Sequence, residues 1–149
     1  MRQGLGPVGS YLLRTHAHFC ASHQLHGYEG DCVRLHGHNY RVEVEVEASE
    51  LDEIGLGMDF REIRAAAETV AGELDHRHLN ELEPFEGVNP SAEHIAAHFY
   101  RRLSRMLDRP AVRVRAVTIH ETERCSVRYE PSGSLDSPST SSSGGAASA

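Results

Sequence analysis

An α+β domain, built from an antiparallel sheet with two helices on one face, is the fold class this sequence predicts, and three observations predict it. First, Tyr40, Val42, Val44 and Val46 alternate with Arg41, Glu43, Glu45 and Glu47, the period of a half-buried strand with one wet face. Second, from Asp59 the period becomes helical, with Phe60, Ile63, Ala67, Val70 and Leu74 forming one apolar stripe. Third, strands and helices follow in the order strand, strand, helix, helix, strand, strand, which segregates the helices from the sheet instead of interleaving them.

Each element has its own local cause. Tyr11 to Phe19 sets Tyr11, Leu13, Thr15, Ala17 and Phe19 against more polar neighbours, so it reads as the first strand and delivers His23 at its exit. The alternating segment after His36 is the second. Asp59 with Glu62 makes a capping-box-like start for the first helix. Asn89-Pro90 supplies a cap and first-turn pair for the second, whose inner face carries Ile95, Phe99, Leu103 and Met106 and which stops before Pro110. Val112 to Glu121 and Cys125 to Tyr129 are the closing strands, joined by a tight polar turn. Residues 1–10 read as a flexible segment and 11–130 as the single domain. Residues 131–149 are dominated by Ser, Gly, Pro and Ala, with almost nothing to bury, and read as a disordered tail.

Composition narrows the function. The chain has 149 residues and is 39% hydrophobic, enough for one modest core. Its start has no hydrophobic signal region and no apolar run suits a bilayer, so the expectation is a cytoplasmic protein without a membrane partner. Cys20, Cys32 and Cys125 lack disulfide-framework spacing and read as free thiols, Cys20 and Cys125 as small hydrophobes. A formal charge of -7 argues against a nucleic-acid partner. All 15 basic residues are arginine, which excludes lysine Schiff-base chemistry and a Walker-type lysine. An anionic substrate must therefore be held by arginine, histidine, backbone amides or a metal.

The densest chemistry lies in Cys32-Val33-Arg34-Leu35-His36-Gly37-His38. Residues two apart on a strand share a face, roughly 6 to 7 Å apart, so His36 and His38 can converge on one ion. His23 is the natural third ligand. Three imidazoles leave one position open on a tetrahedral Zn2+, the mark of a catalytic ion. Any one of these histidines alone would read as a surface or satisfied core residue; the trio reads as a metal site. Cys32 lies close enough to the ion for its thiolate to be favoured, making it a candidate general base. Two other readings stand beside that one, an inert buried thiol and a fourth ligand that would close the metal's shell. Asp75-His76 can act as an acid/base pair in which the carboxylate fixes the imidazole tautomer, although at a helix end the same dipeptide can be a cap and a surface residue.

Phe19-Cys20-Ala21-Ser22-His23, Cys32 four before His36-Gly37-His38, Leu74-Asp75-His76, Asn89-Pro90-Ser91-Ala92-Glu93 and His120-Glu121-Thr122 together resemble the 6-pyruvoyltetrahydropterin synthase superfamily. The spacing from Cys32 to His36 is most similar to that of the bacterial 6-carboxy-5,6,7,8-tetrahydropterin synthases of queuosine biosynthesis. The resemblance implies a tunnelling fold, a four-stranded antiparallel sheet with two helices on one face whose copies join into a barrel. It implies a homohexamer, a dimer of trimers, with Glu121 and Ser91 meeting the zinc-side residues of an adjacent chain. It also implies a zinc-dependent lyase converting 7,8-dihydroneopterin triphosphate to 6-carboxy-5,6,7,8-tetrahydropterin, acetaldehyde and triphosphate. In that reaction Cys32, Asp75 and His76 would move protons, and Glu121 would grip the 2-amino and ring N–H groups of the pterin. Ser91 and Glu93 would contact the ring from the second helix, with Ala92 standing where a hydroxyl residue is more usual. Arg34 and Arg77 flank this chemistry and could clamp the triphosphate, with a solvated arginine the default reading for Arg77. The alternative is a 6-pyruvoyltetrahydropterin synthase or related pterin lyase, which the short Cys32–His36 gap disfavours. A non-catalytic pterin- or metal-binding protein of the same fold is opposed by Cys32, Asp75 and His76.

Overall fold

The computed structural model describes residues 9–30 and 33–133. Cys32 lies outside the described residues, as do 1–8 and 134–149, where most of the expected flexible start and disordered tail fall. Two long strands, β1 (Tyr11–His23) and β2 (His36–Ala48), are followed by helix α1 (Phe60–Leu74), a two-residue strand β3 (Arg77–His78), helix α2 (Ala92–Leu107), β4 (Val112–His120) and β5 (Ser126–Tyr129). The sheet runs in the order β3-β1-β2-β4-β5. It is open, has both helices on one face, and holds five strands where the sequence predicts four. The addition is β3, which pairs in parallel with Ala21 and Ser22 of β1 and is too short to show any periodicity.

Alternation in β2 decides the two faces. Tyr40, Val42, Val44 and Val46 are fully buried beneath the helices, each of the three valines worth roughly 1.5–3 kcal/mol of apolar burial. The register places Phe19 opposite Tyr40, Ala21 opposite His38 and His23 opposite His36. These six residues therefore share the helix-covered face, as the parity of His36 and His38 predicts. The other face is polar. On it Glu45, only 3% exposed, accepts from Arg14 Nε at 3.1 Å and Arg128 Nε at 2.6 Å. A buried carboxylate is tolerable only with such partners.

Helix α1 is capped by Asp59, whose carboxylate accepts from the Arg61 backbone N–H. Glu62 does not reciprocate as a capping box would; it pairs with Arg109 at 2.9 Å. The buried stripe is Ile63, Ala66, Ala67, Val70, Ala71 and Leu74. Phe60, expected in it, is 55% exposed, because a helical side chain leans toward the N-terminus and the first residue of α1 leans out over the preceding loop. The cap of α2 is Ser91, not Asn89, with its hydroxyl accepting from His94 N–H at 3.3 Å. Ile95, Phe99 and Leu103 are buried as expected, but Leu107, not Met106, completes the face. The stripe advances in steps of four and rotates Met106 out to 44% exposure. Cys20 and Cys125 are free thiols, as expected, but both are exposed, which corrects their reading as small hydrophobes; Cys20 lies on the polar face of β1 opposite Asn39, and Cys125 just precedes β5.

Candidate metal centre

His23, His36, His38 and Glu121 offer one donor atom each, all within 4.8 Å of one another. Strand geometry makes the cluster. The β1–β2 register sets His23 directly across from His36, and β4 runs antiparallel to β2 with His120 opposite Arg41. The first residue past β4, Glu121, thus arrives beside the start of β2.

Hydrogen bonds from outside the cluster fix two of the rings. His23 Nδ1 lies 2.8 Å from the Pro90 carbonyl and His36 Nδ1 lies 2.7 Å from the Arg34 carbonyl. A carbonyl can only accept, so both Nδ1 atoms carry the proton, and on the neutral rings both Nε2 atoms present lone pairs. Those Nε2 atoms face each other at 2.9 Å. Two lone pairs cannot hydrogen-bond to each other; they need a shared proton or a cation between them. Backbone carbonyls that orient metal-binding imidazoles are the usual outer support of such a site, so the donors fit a metal ion.

Electrostatics agree with that geometry. Glu121 Oε1 lies 3.4 Å from His23 Nε2 and 3.3 Å from His38 Nε2. Burial opposes charge on His23, yet hydrogen bonds to Glu121 and the Pro90 carbonyl outweigh it and hold its pKa above 6.5. For His38 burial wins over the pull of Glu121, and the neighbouring His23 and His36 push the same way, leaving its pKa below 6.5. The hydrogen bond from His23 keeps the Glu121 carboxyl below the ordinary range despite partial burial. Beneath the cluster Tyr40, stacked on Phe19 at 4.7 Å, has its phenol pKa driven upward by burial and by Glu121.

The other expected site residues fall in different places. Asp75 and His76 pair at 2.8 Å between Oδ2 and Nδ1, but no bond joins them to the cluster among the described residues. They sit beside Cys20: Asp75 Oδ1 accepts from Cys20 N–H at 2.8 Å and His76 N–H donates to the Cys20 carbonyl at 2.6 Å. The Cys20 N–H, then His76, hold the Asp75 carboxyl below its usual range. His76 has φ 56, a left-handed conformation costly for a non-glycine residue and kept only where the surroundings impose it. It borders a concavity of about 450 Å³ whose walls include Cys20, Asn39, His78 and His38. His38 is thus common to the concavity and the metal cluster. Ser91 spends its hydroxyl on the helix cap, Glu93 is exposed in the first turn of α2, and the Arg34 and Arg77 side chains are exposed. Glu121 reaches the histidines of its own chain.

Asn80, which the sequence reading does not single out, and Asn89, which it reads as a helix cap, both bond distant backbone instead. Asn80 exchanges a donor and an acceptor with the Gln24 backbone at 2.8 and 2.9 Å. Asn89 does the same with His26 at 2.9 and 2.8 Å. Each side chain imitates a strand partner, and together they moor the connection that leaves His23 toward Cys32.

An open antiparallel sheet backed by two helices, with three imidazoles and a carboxylate gathered at one rim, defines a tunnelling-fold protein able to hold a metal ion. The chain belongs to the 6-pyruvoyl tetrahydropterin synthase family, whose profile matches residues 12–132. It is 40% identical over 90 residues to the 6-carboxy-5,6,7,8-tetrahydropterin synthase of Synechocystis, covering 57% of this chain and 68% of that one. Its identity to the Bacillus subtilis protein of the same name is 32% over 104 residues, 66% and 69% of the two chains. The 6-pyruvoyl tetrahydrobiopterin synthase of Drosophila melanogaster is 30% identical over 125 residues, 74% of each chain. Among solved structures, Caenorhabditis elegans 6-pyruvoyl tetrahydropterin synthase superposes with a TM-score of 0.74 at 25% identity, covering 86% of this chain and 100% of that one. The family's enzymes are lyases acting on small pterin substrates, and this chain is one of them. None of its described helices is long and apolar enough to cross a membrane.

Proposed function

We propose that the protein is a zinc-dependent 6-carboxytetrahydropterin synthase of the cytoplasm, cleaving a carbon–carbon bond of 7,8-dihydroneopterin triphosphate in queuosine biosynthesis. The observation that carries the reading is the convergence of His23, His36, His38 and Glu121 at one rim of a pterin synthase fold. Relatives bearing the 6-carboxy name at 40% and 32% identity favour that product over the 6-pyruvoyl one, as does the spacing of Cys32 from His36.

His23, His36 and His38 would hold the zinc, which when bound supplies Lewis acidity that eases proton loss from hydroxyls on the substrate's side chain. The protein's own groups do the rest. Glu121 accepts two hydrogen bonds from the pterin edge and sets the ring's orientation. Cys32 acts as general base. His76, with Nδ1 donating to Asp75, presents Nε2 as a proton acceptor and passes protons onward. Ser91 and Glu93 line the ring from the start of α2, and Arg34 holds the triphosphate. The sheet's edges, β5 and the β1–β3 side, have no further strand partner among the described residues, and exposed edges invite pairing. Closure into a barrel and a homohexamer satisfies them. His76, its side chain 81% exposed and out of contact with the cluster, is the half of the machinery that an adjacent subunit would complete.

Incubation with dihydroneopterin triphosphate tests the reading. It expects 6-carboxytetrahydropterin and acetaldehyde in equal amounts by mass analysis; 6-pyruvoyltetrahydropterin as the main product would replace it with the alternative.

A further inference from the structure

We infer that the polar face of the sheet carries a second ligand site, a concavity for a phosphate-type oxyanion centred on Arg41 and separate from the metal cluster. The ligand is either free phosphate or the phosphoryl end of a larger molecule, and the inference stands apart from the lyase reading.

Register builds the site. His18 on β1 lies opposite Arg41 on β2, and Arg41 lies opposite His120 on β4, so the three residues form a line across three strands spaced roughly 4.8 Å apart. Arg41 shares the parity of Glu45, so the line lies on the face of the sheet opposite to that of His23, His36 and His38. Together with Asn39, Thr122 and Glu123 these three side chains line a concavity of about 350 Å³. Further along β2 the charges are met within the chain: Glu45 sits between Arg14 and Arg128 and pairs with both. At Arg41 the arrangement is inverted, with a cation flanked by two imidazoles. Among the described residues neither Glu43, two positions along the same face, nor Glu123 forms an ion pair with it.

The free polar groups of the concavity are mostly donors. Arg41 engages only Nη2, which lies 3.2 and 3.3 Å from the two ring nitrogens of His120, so Nε and Nη1 of its planar fork remain. A guanidinium can only donate; His120 therefore accepts at one nitrogen and, as a neutral ring, keeps a hydrogen on the other. Asn39 Oδ1 accepts from Cys20 Sγ at 3.0 Å, which leaves its amide N–H groups. Thr122 Oγ1 accepts from Arg124 and Cys125 N–H at 3.2 and 3.1 Å, which leaves its hydroxyl hydrogen. A guanidinium fork with neighbouring N–H and O–H donors is complementary to a tetrahedral oxyanion. Of the lining residues, Glu123 alone opposes one.

Nuclear magnetic resonance of the imidazole C–H groups in the full chain reads the site, because His18 and His120 report it while His23, His36 and His38 report the metal cluster. Inorganic phosphate and methyl phosphate are the probes, each compared with chloride at equal ionic strength so that general screening cancels. Wild type should show saturable shifts at His18 and His120, with inorganic phosphate alone if the ligand is the free ion and with methyl phosphate also if a phosphoryl ester fits. Arg41→Gln should weaken binding roughly 10- to 100-fold, the worth of a charged hydrogen-bond partner. Arg41→Lys should lose less, since it keeps the charge but not the fork, and Glu123→Gln should bind more tightly than wild type. Both positions are exposed, so these variants should fold. Shifts no larger than those with chloride would overturn the inference, as would equal affinity in wild type and Arg41→Gln. Shifts confined to His23, His36 and His38 would place the anion on the metal cluster and overturn it too.

Discussion

Replacing Asn89 by Ala tests whether the connection between β1 and β2 is held in place for chemistry. The substitution deletes a donor and an acceptor that bond the two backbone groups of His26 at 2.8 and 2.9 Å. At roughly 0.5–1.5 kcal/mol net for each hydrogen bond, the loss is about 1–3 kcal/mol, or a Tm lower by roughly 4 °C per kcal/mol in a domain of this size. The Asn89 backbone carbonyl, which accepts from His94 Nδ1 at 2.6 Å, is untouched, so the α2 cap survives. Asn89→Asp retains the acceptor and should lose about half as much. Because the moored segment leads to Cys32, kcat should fall several-fold in Asn89→Ala while zinc content stays at wild-type level. Thermal unfolding, metal analysis and steady-state kinetics on the three proteins check this. A Tm within about 1 °C of wild type together with unchanged kcat would refute the mooring role.

Cys32→Ala and Asp75→Asn should both keep zinc and pterin binding yet lose roughly 10²–10⁴-fold in kcat, the range of general acid–base contributions; Asp75→Asn acts by removing the acceptor that holds the His76 tautomer, and near-normal turnover in either removes that residue from the mechanism. Zinc affinity should fall on acidification while pH is still above 6.5, because the pKa of His23 in the metal-free chain is raised and a proton competes for the ligand nitrogen. The sign for stability is the reverse in the metal-free chain: protonated His23 contributes below 6.5 and that contribution disappears as pH rises through the raised value, so the Tm gap between zinc-loaded and metal-free protein should narrow from about pH 8 to about pH 6. Mixing inactive Cys32→Ala subunits with inactive His76→Ala subunits should restore some activity if neighbouring chains share a site; no recovery in oligomers shown to have exchanged subunits would place each site within one chain.

Much of the fold follows from patterns local in sequence. The alternation of β2 carried its buried face and, by parity, the orientation of His36 and His38. Period and cap residues located both helices to within a few positions. Where the reading failed, the cause is non-local. Strand β3 is two residues long and exists only because Arg77 and His78 lie along β1. Asn80 and Asn89 bond backbone 56 and 63 residues away, and nothing in their immediate neighbours announces it. The nearness of Glu121 to the histidines of its own chain depends on the β2–β4 register, for which the sequence holds one signal: an antiparallel β4 beside β2 must end where β2 begins, next to His38. The free exposure of Cys20 and its bonds to Asp75 and His76 depend on the same kind of long-range placement.

Zinc content of His36→Ala is the most direct test of the metal centre on which the functional reading rests. Elemental analysis of wild type should give about one zinc per chain, as a three-histidine catalytic site requires, and His36→Ala, folded by circular dichroism, should have lost nearly all of it. Full zinc occupancy in the folded variant would contradict the assignment of His23, His36 and His38 as its ligands.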